Sequence, residues 1–283
     1  MTFSELREYV HHKLEILYPK SEINAFYFIL LEHYGKYSKA TILANSDTLL
    51  TEDIAQPILQ AIRELQTAKP IQYILGETEF FSNRFFVNEN VLIPRPETEE
   101  LVDWVLQEYP DKSEKIKILD VGTGSGCIAI SLAKALPNAV VTAIDVSEGA
   151  LKVAKRNAES NSVVTHFLQQ DILQIETLPD KYDIIISNPP YVRELEKKEI
   201  RHNVLEYEPH LALFVPDNNP LLFYDKIATL AQQSLNPNGS LFFEINQYLG
   251  QEMQTLLEQK HFTEITLRQD LFGKDRMIKA KQL

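Results

Sequence analysis

Ile116-Lys117-Ile118-Leu119-Asp120-Val121-Gly122-Thr123-Gly124-Ser125-Gly126 is the stretch that decides the fold. The apolar run Ile116 to Val121 predicts a buried strand, and the glycines after it predict a tight turn into a helix over 127–135. Glycines at such a turn let a ligand approach the backbone, and the helix start offers free N–H groups. The spacing is GxGxG, whereas dinucleotide enzymes carry GxGxxG. Asp120 stands just before the glycines, where a carboxylate would repel a pyrophosphate and attract a cation.

The pattern alternates from there. Strands are predicted over 140–144, 163–168, 182–187 and 239–245, and helices over 149–159, 221–234 and 249–259. Two last strands, 264–269 and 277–280, lie close enough in sequence to pair. This rhythm predicts an α/β fold with a doubly wound, mostly parallel sheet, helices on both faces and an antiparallel edge hairpin.

Upstream the character differs. Phe3, Leu6, Val10, Leu14 and Leu17 recur at helical spacing, and further periodic runs reach residue 65. Residues 1–70 therefore read as a helical bundle. Residues 71–94, with β-rich pieces at 73–75, 78–81 and 84–87, read as a β-hairpin linker. Residues 95–283 form the α/β domain, opened by a helix from Pro94 to about Tyr109.

Bulk properties narrow the class. The chain has 283 residues, 44% of them hydrophobic, and a net charge of −12. That charge disfavours a broad grip on nucleic acid phosphates and suits a protein partner. Cys127 is the only cysteine, so no internal disulfide forms. No apolar run reaches membrane-spanning length, and the first residues lack a signal-peptide layout. The expectation is a cytoplasmic monomer with no metal, since no HxxxH or CxxC spacing occurs.

Three carboxylates end successive strands. Asp145, after 140–144, is placed to accept two ribose hydroxyls. Asp171 can accept an adenine amino group, and Ile172 can pack on its ring. With Asp120 facing a positively charged tail, these describe S-adenosylmethionine. A fourth strand ends in Ser187-Asn188-Pro189-Pro190-Tyr191. Each proline lacks an N–H and fixes φ, so this lip is stiff and rich in acceptors. Asn188 and the nearby carbonyls suit a planar –NH2 group, in an amide or an adenine, with the face of Tyr191 beside it. Arg95 is read either as a salt-bridge residue or as a contact at the site. The charged run 193–201 is read as a solvated helix or flap. Cys127 is read as a small core residue.

These motifs together resemble the HemK/PrmC family of Class I methyltransferases, with a seven-stranded sheet. The resemblance rests on Ile93-Pro94-Arg95-Pro96-Glu97-Thr98-Glu99, Asp120 to Gly126, Asp145, Asn188-Pro189-Pro190-Tyr191, Tyr207-Glu208-Pro209 with Ala212-Leu213, and Asp270-Leu271-Phe272-Gly273-Lys274-Asp275-Arg276. It implies methylation of the glutamine side-chain amide in the Gly-Gly-Gln motif of peptide chain release factors, with S-adenosylmethionine as cofactor. It implies that Gly122, Thr123, Gly124, Ser125 and Gly126 line the methionine part of the cofactor. Asp145 would hold the ribose and Asp171 with Ile172 the adenine. Asn188 and Pro189 would accept from the glutamine NH2, with Pro190, Tyr191 and Arg95 on the substrate side and the helical bundle docking the release factor. Two departures are Ile172, where an aromatic is usual, and Pro216-Asp217-Asn218-Asn219-Pro220, where a glycine-containing turn is usual. An amino methyltransferase of nucleic acid bases shares the Asn-Pro-Pro-Tyr lip and is the alternative.

Overall fold

A computed structural model describes residues 1–282. It divides into two compact units: Met1–Gly76 with Arg201–Tyr207, and the rest of the described chain. The first unit is built on α1 (Phe3–Leu14), α2 (Lys20–Gly35), α3 (Lys39–Ala44), α4 (Glu52–Leu65) and α5 (Ile71–Leu75). Thr2 starts α1 with a capping box: its hydroxyl accepts from the Glu5 N–H, and the Glu5 carboxylate accepts from the Thr2 N–H. Such a cap contributes about 1 kcal/mol. Phe3, Leu6, Val10 and Leu14 are buried together with Ile23, Leu30, Ile58 and Leu65.

The expected strand at 73–75 is instead helix α5. Pro70 cannot extend the preceding chain as a hydrogen-bonded strand and is well placed before a first helical turn. Gly76, at φ +72°, ends the helix in the left-handed region. Ile71, Ile74 and Leu75 join the bundle core, so burial of an apolar face outweighs the β preference of Tyr73 and Ile74.

The second unit begins with the hairpin β1 (Glu77–Phe80) and β2 (Asn83–Phe86), whose turn residues Phe81 and Ser82 both have positive φ. Phe80 and Phe85 sink into the core of this unit, so the hairpin is part of it and not a free linker. Then follow α6 (Pro96–Glu108), β3 (Lys117–Val121), α7 (Cys127–Ala135), β4 (Val140–Asp145), α8 (Glu148–Ser160), β5 (His166–Gln169), β6 (Tyr182–Ser187) and the short β7 (Val192–Arg193). Helix α9 (His202–Tyr207) belongs to the first unit, where the Tyr207 hydroxyl donates to the Thr67 carbonyl. The chain ends with β8 (Phe214–Val215), α10 (Leu222–Ser234), β9 (Leu235–Glu244), α11 (Gly250–Gln259), β10 (Thr263–Gln269) and β11 (Asp275–Lys281).

Seven strands form one sheet in the order β10-β11-β9-β6-β3-β4-β5. It is the doubly wound sheet expected, with β11 antiparallel to both neighbours and β10–β11 forming the edge hairpin. Alternate residues serve opposite faces: Ile184 and Ile186 enter one core and Ile185 the other. Each such fully buried side chain contributes about 1.5–3 kcal/mol. The chain runs outward from β3 to β4 and β5, then returns to lay β6 against β3. That reversal opens a crevice beyond the carboxyl ends of β3 and β6, where Val121 pairs with Ser187.

Candidate active site

The crevice has a volume of ≈ 330 Å³, within the range of small-molecule sites. Its floor is the glycine loop after β3. The Gly122 and Thr123 N–H groups both donate to the Ile144 carbonyl, at 2.9 and 3.0 Å, which ties the loop to β4. Gly122 and Gly124 have φ of +75° and +54°, and a side chain on either would project into open space. Both line the crevice with Thr123 and Ser125. A backbone bared in this way fits the close approach of a ligand.

Gly126 has a different task. It is not among the crevice-lining residues, and a Cβ there would meet Ile130 Cδ1 at 2.8 Å and Ala154 Cβ at 3.2 Å. Its bare backbone lets α7 and α8 pack closely.

Asp120 also lies behind the loop and not in the wall. Its carboxylate is fully buried and accepts from the Thr123 hydroxyl at 2.6 Å, while Oδ1 has no hydrogen-bond partner. Burial pushes its pKa up to about 7, against the pull of the Thr123 hydroxyl. Asp120 thus fixes Thr123, one of the residues that line the crevice.

Asp145, at the end of β4, is in the wall. It accepts from the Gly124 N–H at 2.8 Å and the Ser147 N–H at 2.9 Å, one bond per oxygen. Each oxygen keeps a lone pair for a hydroxyl. Burial raises its pKa, and these backbone donors oppose the rise. Asp171 and Ile172 follow β5 in the wall. Asp171 Oδ1 accepts from the Leu173 N–H, which orients the carboxylate. The neighbouring Gln170, which the sequence reading did not single out, presents a buried Oε1 with no partner in the protein. Cys127 lines the crevice too, its thiol pushed up to about 12 by burial and so inert as a nucleophile.

The lip after β6 brings Asn188, Pro189 and Pro190 into the same crevice. Tyr191 is turned into an adjoining hollow of ≈ 50 Å³, which it shares with Arg95, Asn188 and Glu244. The Tyr191 hydroxyl donates to Glu244 Oε1 at 2.9 Å, and the Thr98 hydroxyl donates to Glu244 Oε2 at 2.6 Å. The Asn188 NH2 donates to Thr98 Oγ1 at 3.2 Å. Burial raises the Glu244 carboxyl, with the two hydroxyls opposing, and burial followed by the Glu244 charge raises Tyr191.

Arg95 lines both spaces and pairs with Glu208 at 2.6 Å; the second Glu208 oxygen accepts from the Ile93 N–H. The ion pair is the salt-bridge reading of Arg95, and it clamps the segment at Pro209 to Ala212 that borders the crevice. The run 193–201 is less solvated than expected. Its Glu196 is buried and held by Arg193 and Asn246, and Asn246 also donates to the Tyr191 carbonyl.

Sequence reasoning passed over Glu244, Thr98, Glu208 and Asn157 as functional positions. Glu244 closes the apolar run Leu241-Phe242-Phe243 as Asp145 closes its own, so the same signal was available. Thr98 and Glu208 lie inside motifs already noticed. Asn157 gave no signal; it is buried in α8 and donates to the Ser125 and Phe86 carbonyls while accepting from the Phe86 N–H. It joins the glycine loop to the hairpin. Among the described residues, no cluster of His, Cys, Asp and Glu is arranged to hold a metal, and no helix is long and apolar enough to cross a membrane.

Comparison with known proteins supplies the context. Residues 101–211 match the model of the methyltransferase small domain, and residues 6–76 match that of the PrmC N-terminal domain. A release factor glutamine methyltransferase of Flavobacterium psychrophilum is 54% identical over 269 residues, 94% of each chain. One of Bacteroides thetaiotaomicron is 43% identical over 280 residues, 99% of this chain and 100% of that one. The fold is shared with a 16S rRNA N2 methyltransferase of T. thermophilus, solved with AdoMet and guanosine, at a TM-score of 0.53 and 17% identity. That match covers 73% of this chain and 50% of the other.

Proposed function

The chain belongs to the family of release factor glutamine methyltransferases, and from that premise we infer that its crevice methylates the side-chain amide of the glutamine in the release factor Gly-Gly-Gln motif. S-adenosylmethionine is the methyl donor, and when bound it supplies a methyl carbon already activated by a sulfonium. The residues present fit it: an open glycine backbone, a carboxylate with spare lone pairs at Asp145, and unpaired acceptor capacity at Gln170 and Asp171.

The residues then divide the work. Gly122, Thr123, Gly124 and Ser125 hold the methionine portion, Asp145 the ribose hydroxyls, and Asp171, Gln170 and Ile172 the adenine. The buried charge of Asp120 favours a cationic ligand above it. An amide nitrogen is a weak nucleophile because its lone pair is delocalised. Asn188 Oδ1 and the Pro189 carbonyl would accept its two N–H groups and hold the nitrogen toward the donor's methyl group. They would stabilise the positive character that grows on nitrogen as the N–C bond forms and the donor's S–C bond breaks, the donor leaving as a neutral thioether; this is where binding lowers a barrier. The amide proton leaves to solvent. Tyr191 packs beside the amide, and Arg95 holds the wall through Glu208. The helical unit, which the chemistry does not need, docks the release factor.

The observation that carries this reading is the Asn188 lip lining the same crevice as the glycine loop and Asp145. Purified protein with labelled S-adenosylmethionine is offered release factor, total RNA and DNA. Label is expected on the Gly-Gly-Gln glutamine, mapped by mass spectrometry. Label on nucleic acid alone would favour a base methyltransferase.

A further inference from the structure

We propose that Glu244 is a positioning residue that acts through Thr98 to fix which end of the Asn188 side-chain amide faces the substrate. The proposal rests on the glutamine-methylating reading of the same crevice.

Asn188 can meet a substrate –NH2 group only with its oxygen. Its own NH2, turned to the crevice, would oppose donor to donor. A side-chain amide has nearly the same shape in both orientations, so packing alone does not choose between them. Hydrogen-bond direction can choose. Both oxygens of Glu244 receive hydroxyl donors, so in its ionised form it offers lone pairs and no proton. It is 1% exposed at the end of β9 and takes the Thr98 hydroxyl proton at 2.6 Å. Thr98 has a single hydroxyl proton, so toward Asn188 it presents lone pairs alone. Asn188 must answer with its NH2, as the 3.2 Å contact to Thr98 Oγ1 records. Its Oδ1 is thereby left for the crevice. The other Glu244 oxygen takes the Tyr191 hydroxyl proton, so one carboxylate orders both side chains of the lip.

Thr98 and Glu244 are 146 residues apart in sequence and meet only through packing of α6 against the end of β9. This gives Thr98, inside the Pro94–Glu99 segment and itself in the crevice wall, a task in orienting Asn188.

The test is a set of variants assayed on intact release factor: Thr98→Val, Thr98→Ser, Glu244→Gln and Asn188→Ala, with Thr98→Val and Glu244→Gln each also combined with Asn188→Ala. Thr98→Val keeps the shape and removes the relay. Glu244→Gln supplies an N–H to one side, so either Thr98 or Tyr191 is turned round. Each is expected to lower kcat about tenfold to a hundredfold while the dissociation constant for S-adenosylmethionine stays within about threefold. Thr98→Ser is expected to recover most of the loss. In the Asn188→Ala background Thr98→Val should lower kcat by no more than about twofold, because the group it orients is gone, while Glu244→Gln keeps only the part of its effect that runs through Tyr191. Full additivity of Thr98→Val with Asn188→Ala, or Thr98→Val as active as wild type, would overturn the proposal. Should Glu244→Gln fail to fold, the Thr98 pair decides alone. A wild-type protein that leaves release factor unlabelled would instead sink the functional reading itself.

Discussion

The backbone N–H of Gly124 donates to the side chain of Asp145 over 2.8 Å, joining the turn after β3 to the end of β4. One carboxylate thus shapes the floor of the crevice and offers lone pairs into it. Asp145→Ala removes both roles. It is expected to weaken S-adenosylmethionine binding about tenfold to a hundredfold, read by calorimetric titration, because two hydroxyls and two backbone donors lose a charged acceptor. A dissociation constant within twofold of wild type would remove Asp145 from the cofactor site.

Asn188→Ala separates orientation from binding. The kcat is expected to fall by roughly two to four orders of magnitude, with cofactor affinity nearly unchanged. Single-turnover assays at saturating cofactor measure this directly, and unchanged turnover would show that Asn188 does not grip the amide.

Two glycines in one loop should fail in different ways. Gly126→Ala drives a methyl into Ile130 and Ala154 at a φ of +82°, so an expected loss is about 2–4 kcal/mol in denaturant unfolding. Gly124→Ala meets no neighbour and carries only the left-handed backbone penalty of about 1 kcal/mol. Its methyl occupies ligand space, so its main effect falls on cofactor affinity. Equal stability losses would contradict this division.

Asp120 gives the fold a pH signature. Its pKa is raised from 3.8 in the unfolded chain to about 7, mainly by burial. The folded state binds this proton more tightly, so stability is fullest below the ordinary carboxylate range. It declines as pH rises through about 7 and is flat above. Asp120→Asn abolishes the decline while keeping an acceptor for Thr123. The variant should therefore match wild type near pH 4 and exceed it above pH 8, by at most about 4 kcal/mol for three pKa units. Thermal melts of ligand-free protein across this range check the sign; a variant less stable at pH 8 than at pH 4, relative to wild type, would refute it.

Much of this molecule could be read along the chain. Periods of two and of about 3.6 set its strands and helices, because alternate faces must be buried. Turn chemistry marked the glycine loop, and acidic residues ending strands marked Asp145 and Asp171. The bounds of β5 and the helix α5 were misread, since both depend on which neighbour covers an apolar face.

What sequence could not settle is partnership between distant residues. Asp120 and Gly126 belong to the motif, yet packing places both behind the crevice; Thr98 and Glu244 carry no motif of their own as a pair, yet packing joins them. Local pattern determined the elements because each backbone segment satisfies itself or its strand neighbours by rule. Only the tertiary structure decided the hydrogen-bond directions at the lip, because a buried carboxylate takes whichever donors the packed fold delivers to it.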